Sequence, residues 1–137
     1  MLVRRSFIAA SFAAALPAHA QTAWPTKPIK LVAPFAPGGT TDVVARMIAE
    51  HLGQRLGQNI IVANKPGKGA MIGTALVAKA PPDGYTMLLS TIPGLSISPT
   101  LYGGADFDPM ADFIHISIAS RNPSVLVVNP GFSVRTF

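Results

Sequence analysis

Apolar and polar positions follow two periods along this chain. Ile29 to Phe35 is a short, nearly continuous apolar run, the habit of a strand buried on both faces. Pro34 cannot donate to a sheet ladder, so regular pairing is expected to stop near it. The period then lengthens. From Thr41 to Leu56, Val43, Val44, Met47, Ile48, Leu52 and Leu56 recur at helical spacing, while Arg46, Glu50, Gln54 and Arg55 lie off that stripe. Gly57 is a good helix stop. A second strand is predicted over Asn59 to Asn64. A second helix begins around Ala70 or Met71, ends near Lys79, and is broken by Pro81-Pro82-Asp83-Gly84. Thr86 to Ser90 is the third strand.

Strand, helix, strand, helix, strand makes two successive βαβ units. Right-handed crossovers then bring all three post-strand loops to the carboxyl edge of a mainly parallel sheet. Ligands bind at that edge in open α/β sheets. The first loop is Ala36-Pro37-Gly38-Gly39-Thr40-Thr41-Asp42, the second Lys65-Pro66-Gly67-Lys68-Gly69, the third Thr91-Ile92-Pro93-Gly94. Beyond Gly94 a short helix is expected within Leu95 to Leu101, with Pro99 inside it. Tyr102 to Asp112 is turn-rich. Alternating Ile114, Ile116 and Ile118 predict a half-buried strand to Ser120, and Ser124 to Val128 predicts another.

The first loop is the best candidate for binding chemistry. Gly38 and Gly39 permit a sharp turn and close approach to a ligand. Thr40, Thr41 and Asp42 are N-cap types, and a helix N-terminus offers unpaired N–H groups to an anion. The same glycines also fit a turn that only turns. Ser90 and Thr91 carry hydroxyls able to donate to a carboxylate at the same edge, or to cap a loop. The Asp42 carboxylate reads as a structural acceptor, since like charge repels a carboxylate ligand. Lys68 reads first as a solvated loop lysine, and Tyr85 as packing. Trp24 is expected to pack the N-terminal lead-in onto the body.

Composition narrows the classes. The 137 residues are 49% apolar and include no cysteine, which excludes disulfides, thiolate metal sites and a cysteine nucleophile. His51 and His115 have no partners at metal-ligand spacing, so no metal and no cofactor are expected. The chain lacks G-x-S-x-G, a GK[ST] ending and G-x-G-x-x-G. An enzyme or nucleotide-binding α/β fragment remains the alternative of another class. At the N-terminus, basic Met1 to Arg5, apolar Ser6 to Leu16 and Ala18-His19-Ala20 have the layout of a signal peptide cleaved after Ala20. Arg4-Arg5-Ser6-Phe7-Ile8 is similar to a twin-arginine signal, though Val3 precedes the pair, and both export routes stay open. Of eleven basic residues, loss of Arg4 and Arg5 leaves nine against six acidic ones, a net of +3. The bases are scattered, which argues against nucleic acid.

Five markers in order carry a resemblance. Pro34-Phe35-Ala36-Pro37-Gly38-Gly39-Thr40-Thr41-Asp42 resembles the PFxPGGxxD signature of the tripartite tricarboxylate transporter receptor (Bug) family. Asn64-Lys65-Pro66-Gly67, Pro82-Asp83-Gly84-Tyr85-Thr86, Pro99-x-Leu101-Tyr102 with Asp108-Pro109-x-x-Asp112-Phe113, and Val125 to Pro130 resemble its later markers. The resemblance implies a periplasmic solute-binding protein, monomeric and not an enzyme. It implies a type II periplasmic-binding-protein-like α/β lobe of three layers, holding a small carboxylate for transport or sensing. Membrane transporter subunits are the implied partners. Carried onto this chain, the ligand contacts are Ala36, Pro37, Gly38, Gly39, Thr40, Asp42, Gly69, Ala70, Ser90 and Thr91. The implied organisation is signal peptide over 1–20, first lobe over 21–121, and crossover strand with the start of a second lobe over 122–137. The family chain is about twice this long, so a truncated chain lacking the second lobe, functional or not, is also expected. Two departures stand out. The family loop N-R-P-G-A-G-G is here Asn64-Lys65-Pro66-Gly67-Lys68-Gly69-Ala70, and Ser98 stands where Asn commonly precedes Pro99.

Overall fold

A computed structural model describes residues 24–123, 125–131 and 133. The signal peptide and its cleavage point lie outside the described residues. The chain runs β1 (Ile29–Ala33), α1 (Thr40–Leu56), β2 (Ile60–Asn64), a 3-10 turn (Lys68–Ala70), α2 (Met71–Ala78), β3 (Thr86–Leu88), a π-helical turn (Pro93–Ile97) and α3 (Ser98–Tyr102). The three strands are parallel in the order β2-β1-β3, with Leu31 opposite Val62 on one side and Met87 on the other. Regular pairing of β1 ends at Ala33, one residue before Pro34, as the missing N–H requires.

That strand order separates the helices. The two crossovers run in opposite directions across the sheet, so right-handed connections put α1 and α2 on opposite faces. The side chains agree. Ile29, Leu31 and Ala33, alternate residues of β1, form one core with Ala45 and Ala49 of α1 and with Ile60. Pro34 points the other way and abuts Gly73 of α2. The result is a three-layer α/β unit.

Helix α1 is rotated relative to the predicted stripe. Asp42, Ala45 and Ala49 are its buried residues, with Ile48, Leu52 and Leu56 half-buried beside them. Val43 and Met47, assigned to the stripe, are 51% and 56% exposed. The small alanines let the helix approach the sheet closely, so the contact line runs through them and the larger residues flank it. The N-cap is Gly39, so Thr40 and Thr41 lie inside the first turn and do not cap it. Pro99 sits in the first turn of α3, where a missing N–H costs nothing.

The C-terminal stretch departs most from expectation. No strand forms over Ile114 to Ser120 or over residues 125–128, so the crossover strand expected within 122–137 is absent among the described residues. Ile114, Ile116 and Ile118 are 92%, 82% and 71% exposed. Alternation supplies a strand's faces, but a strand also needs a neighbour for its N–H and C=O groups. Among the described strands, β3 pairs only with β1, and its other edge is open.

The family-like turns have visible structural roles. Trp24 lies 6.0 Å from the Tyr85 ring and stacks over Gly84, as expected. The Tyr85 hydroxyl accepts the Thr26 N–H at 2.9 Å, and Lys27 Nζ lies 4.2 Å from its ring centroid while pairing with Asp83. The hydroxyl and N–H of Thr26 hold the Tyr85 pKa below its usual value. This cluster precedes β3 and sits at the amino edge, away from the three loops. Farther on, Asp108 accepts the N–H groups of Met110 and Ala111, and Asp112 reaches back to the Asp108 N–H at 2.7 Å. Phe107, buried, meets Phe113 edge-on.

Candidate functional site

The three post-strand loops meet at the carboxyl edge of the sheet. Strand order reverses about β1, so the loops after β1 and β3 flank a topological switch point, the usual ligand position in open α/β sheets. The Leu89 N–H bonds to Val32 O and the Lys65 N–H to Ala33 O, both at 2.9 Å, which fastens the second and third loops to the end of β1.

The first loop exposes Ala36, Pro37, Gly38, Gly39 and Thr40 to solvent. The first helical bond of α1 is Val43 N–H to Gly39 O, so the amides of Thr40, Thr41 and Asp42 have no acceptor within the helix. Beneath them Asp42 is buried, 4% exposed. Its Oδ2 accepts the Gly38 N–H at 2.9 Å and Arg46 Nε at 3.0 Å, and its Oδ1 accepts Asn64 Nδ2 at 3.0 Å. Asn64 Nδ2 also donates to Phe35 O at 3.2 Å. Arg46 first, then the Gly38 N–H and Asn64, lower the Asp42 pKa to about 2. The carboxylate stays ionised and is occupied by the protein's own donors. Asp42 thus braces the turn from below, on the side away from the exposed backbone.

The second and third loops pack on each other. Around Gly94 the contacts are close: a Cβ there would lie 2.9 Å from both Ala70 Cβ and Ser90 Oγ, and 3.7 Å from Gly69 O. Gly69, Ala70 and Ser90 are therefore brought together, with Thr91 next in the chain. Ser98, buried at the start of α3, lies against Gly69. Ser90 Oγ is buried and has no hydrogen-bond partner among the described residues. A buried hydroxyl left unpaired is costly, so this atom stands out. Lys68 reaches back to Gly103 O at 3.4 Å. Its φ of 46° and the 77° of Ala70 are left-handed values on non-glycine residues. The departure from N-R-P-G-A-G-G thus puts an alanine in a glycine conformation.

Asn64, Gly94 and Ser98 belong to this edge and were not among the expected contacts. Their signals were present: Asn64 opens the N-K-P-G marker, Gly94 ends the third loop, and Ser98 is itself a departure. A separate open groove of about 300 Å³ lies along α1 and β2, lined by Arg46, Ala49, Glu50, Asn59, Ile60 and Val62. It does not include the loop residues. Among the described residues, no group of three or more His, Asp or Glu could hold a metal ion.

The profile of the tripartite tricarboxylate transporter family receptor matches residues 44–137. The chain belongs to this family. Protein BugT of Bordetella pertussis is 42% identical over 129 residues, covering 90% of this chain and 38% of that protein. The solved periplasmic binding protein BugD is 46% identical with a TM-score of 0.63, over 66% of this chain and 30% of that one. MatC from Rhodopseudomonas palustris, solved with bound malate, is 34% identical with a TM-score of 0.63, over 66% of this chain and 31% of that one. The chain spans about two fifths of the length of BugT. The fold is thus that of part of a periplasmic binding protein, the class the resemblance implied. The family's relatives are binding receptors, and the PGG-x-x-D turn, the N-K-P-G loop and the end of β3 lie at one edge of this unit.

Proposed function

We propose that this chain forms one wall of the ligand cleft of an exported receptor for a small carboxylate, a dicarboxylate of the malate type. The observation that carries the reading is the exposed first turn of α1 at the switch-point edge, whose amides have no helical acceptor, with the Ser90 hydroxyl, which has no partner among the described residues, buried in the loops at the same edge. Both are donors, and a carboxylate is an acceptor only. The backbone of Ala36, Pro37, Gly38, Gly39 and Thr40 faces the ligand, with Gly69, Ala70, Ser90 and Thr91 closing the wall. Asp42 serves that site by holding the turn. The relative solved with malate supports the ligand class. The protein acts in the periplasm after signal cleavage, passes its ligand to membrane transporter subunits and catalyses no reaction.

Calorimetric titration of the chain with malate, succinate and adipate, against the uncharged diamide of succinate, tests the ligand class. Heat of binding is expected for the dicarboxylates and not for the diamide. Equal response to both, or to neither, defeats the carboxylate reading.

A further inference from the structure

Asn64 is the last residue of β2, and its side-chain amide leaves that strand to serve another loop. Both hydrogens of its Nδ2 are committed, one to Phe35 O at 3.2 Å and one to Asp42 Oδ1 at 3.0 Å. The two acceptors flank the turn, Phe35 at its entrance and Asp42 in the first turn of α1. The other oxygen of Asp42 accepts the Gly38 N–H inside the turn. A single amide on β2 therefore clips together the start and the end of the turn that follows β1.

We propose that Asn64 is the positioning residue of the Gly38–Gly39 turn, holding the first-turn amides of α1 in the arrangement that receives an anion. The function of that turn rests on the carboxylate reading above; the clip itself does not. Three points support it. The turn has little else to hold it. Ala36 to Thr40 are exposed, and a Cβ built on Gly38 would meet nothing within 4 Å. Gly38 has φ of 83°, a region open to several glycine conformers, so the bonds through Asp42 select one of them. The Gly38 N–H is directed inward to Asp42, which leaves the amides of Thr40 and Thr41 as the outward donors. A turn ordered before the ligand arrives spares the ligand that ordering cost.

The test uses the full chain with two readouts: amide exchange of Gly38 followed by NMR, and affinity for malate by calorimetry. In Asn64→Ala the Gly38 amide is expected to exchange faster. The malate dissociation constant is expected to rise about tenfold, the effect of re-ordering roughly one backbone residue on binding. The folded fraction at the assay temperature is expected to stay unchanged. Asn64→Gln, which keeps an amide donor, should recover part of both. Should Asn64→Ala fail to fold, Arg46→Met frees the same carboxylate from an exposed position and should shift both readouts in the same direction by less. Unchanged Gly38 exchange, or malate affinity equal to wild type with exchange accelerated, overturns the proposal. If the wild-type chain takes up no dicarboxylate while Asn64→Ala still accelerates Gly38 exchange, the clip stands and the ligand class is what fails.

Discussion

Gly73 in α2 lies so close to Pro34 that a Cβ added to it would stand 2.7 Å from Pro34 Cβ and 2.7 Å from Lys65 O. The glycine lets α2 rest directly on the end of β1, where strand pairing stops and the first loop begins. Pro34 is fully buried and Lys65 O belongs to the backbone, so neither can swing aside. Gly73→Ala is therefore expected to destabilise the fold by about 1–3 kcal/mol, the range for overpacking a filled interior. Urea unfolding followed by circular dichroism measures it.

Ala70 and Gly69 should respond in opposite directions to exchange of alanine and glycine. Ala70 has φ of 77°, where a Cβ costs roughly 1–2 kcal/mol. Its methyl group is buried, which returns about 0.8 kcal/mol. Ala70→Gly is expected to be neutral or stabilising by up to about 1 kcal/mol, the difference between those effects. Gly69→Ala would place a Cβ 2.5 Å from Ser98 Oγ and 2.9 Å from Tyr102 Cε2, at a φ of 61°. It should lower the melting temperature. Thermal melts of both variants, compared with wild type, check the opposed signs.

The sheet was legible because its strands carry their own evidence. Ile29 to Ala33 and Ile60 to Asn64 are short apolar runs bounded by proline and glycine, and each found a parallel neighbour. Helix α1 was legible in extent and in part of its face: Ile48, Leu52 and Leu56 pack on the core as the stripe predicts, whereas Val43 and Met47 do not. Periodicity weights large residues, whereas the helix packs through Ala45 and Ala49. The alternation of Ile114, Ile116 and Ile118 could not report whether a partner strand exists. At the site, the PGG turn and Ser90, two residues past the end of β3, were readable as candidate ligand chemistry at one edge of the sheet. The role of Asn64 was not, because a contact between residues 29 positions apart depends on strand register.

Acid should remove part of the stability through Asp42. Its pKa is lowered to about 2 in the folded state, from an ordinary 3.8. As pH falls below about 4, the unfolded state binds this proton before the folded state does. The stabilisation is therefore present above that pH and is lost on descent toward 2. Asp83, lowered by the Tyr85 N–H and then by Lys27, contributes with the same sign. Asp42→Asn is expected to be less stable near neutrality and to lose less on acidification, without a flat profile, since Asp83 remains. Unfolding curves at pH 7, 4 and 2.5 for both proteins give the two slopes.

The exposed apolar stretch should make the chain self-associate. Ile114, Ile116 and Ile118, and Val125 to Val128, are open to solvent, and exposed apolar segments of this kind pair readily with other chains. A charge placed there acts as a gatekeeper. Ile116→Lys combined with Leu126→Lys is expected to lower the apparent mass in light scattering. Stability should change by less than about 0.5 kcal/mol for each substitution, as at other surface positions. An unchanged mass would overturn the assignment of self-association to this stretch.

Ser90 should separate stability from binding. Its Oγ is buried beside Gly94 with no hydrogen-bond partner among the described residues, so the hydroxyl carries a desolvation cost. Ser90→Ala removes that cost and keeps the Cβ, so it is expected to be neutral or to stabilise the free protein by up to about 1 kcal/mol. If the hydroxyl donates to the ligand carboxylate, the same substitution should weaken malate binding by roughly tenfold, the value of one hydrogen bond to a charged group. A gain in melting temperature together with a loss of affinity identifies a polar atom held in the fold for its ligand. A loss of both would instead assign Ser90 to the packing between the second and third loops.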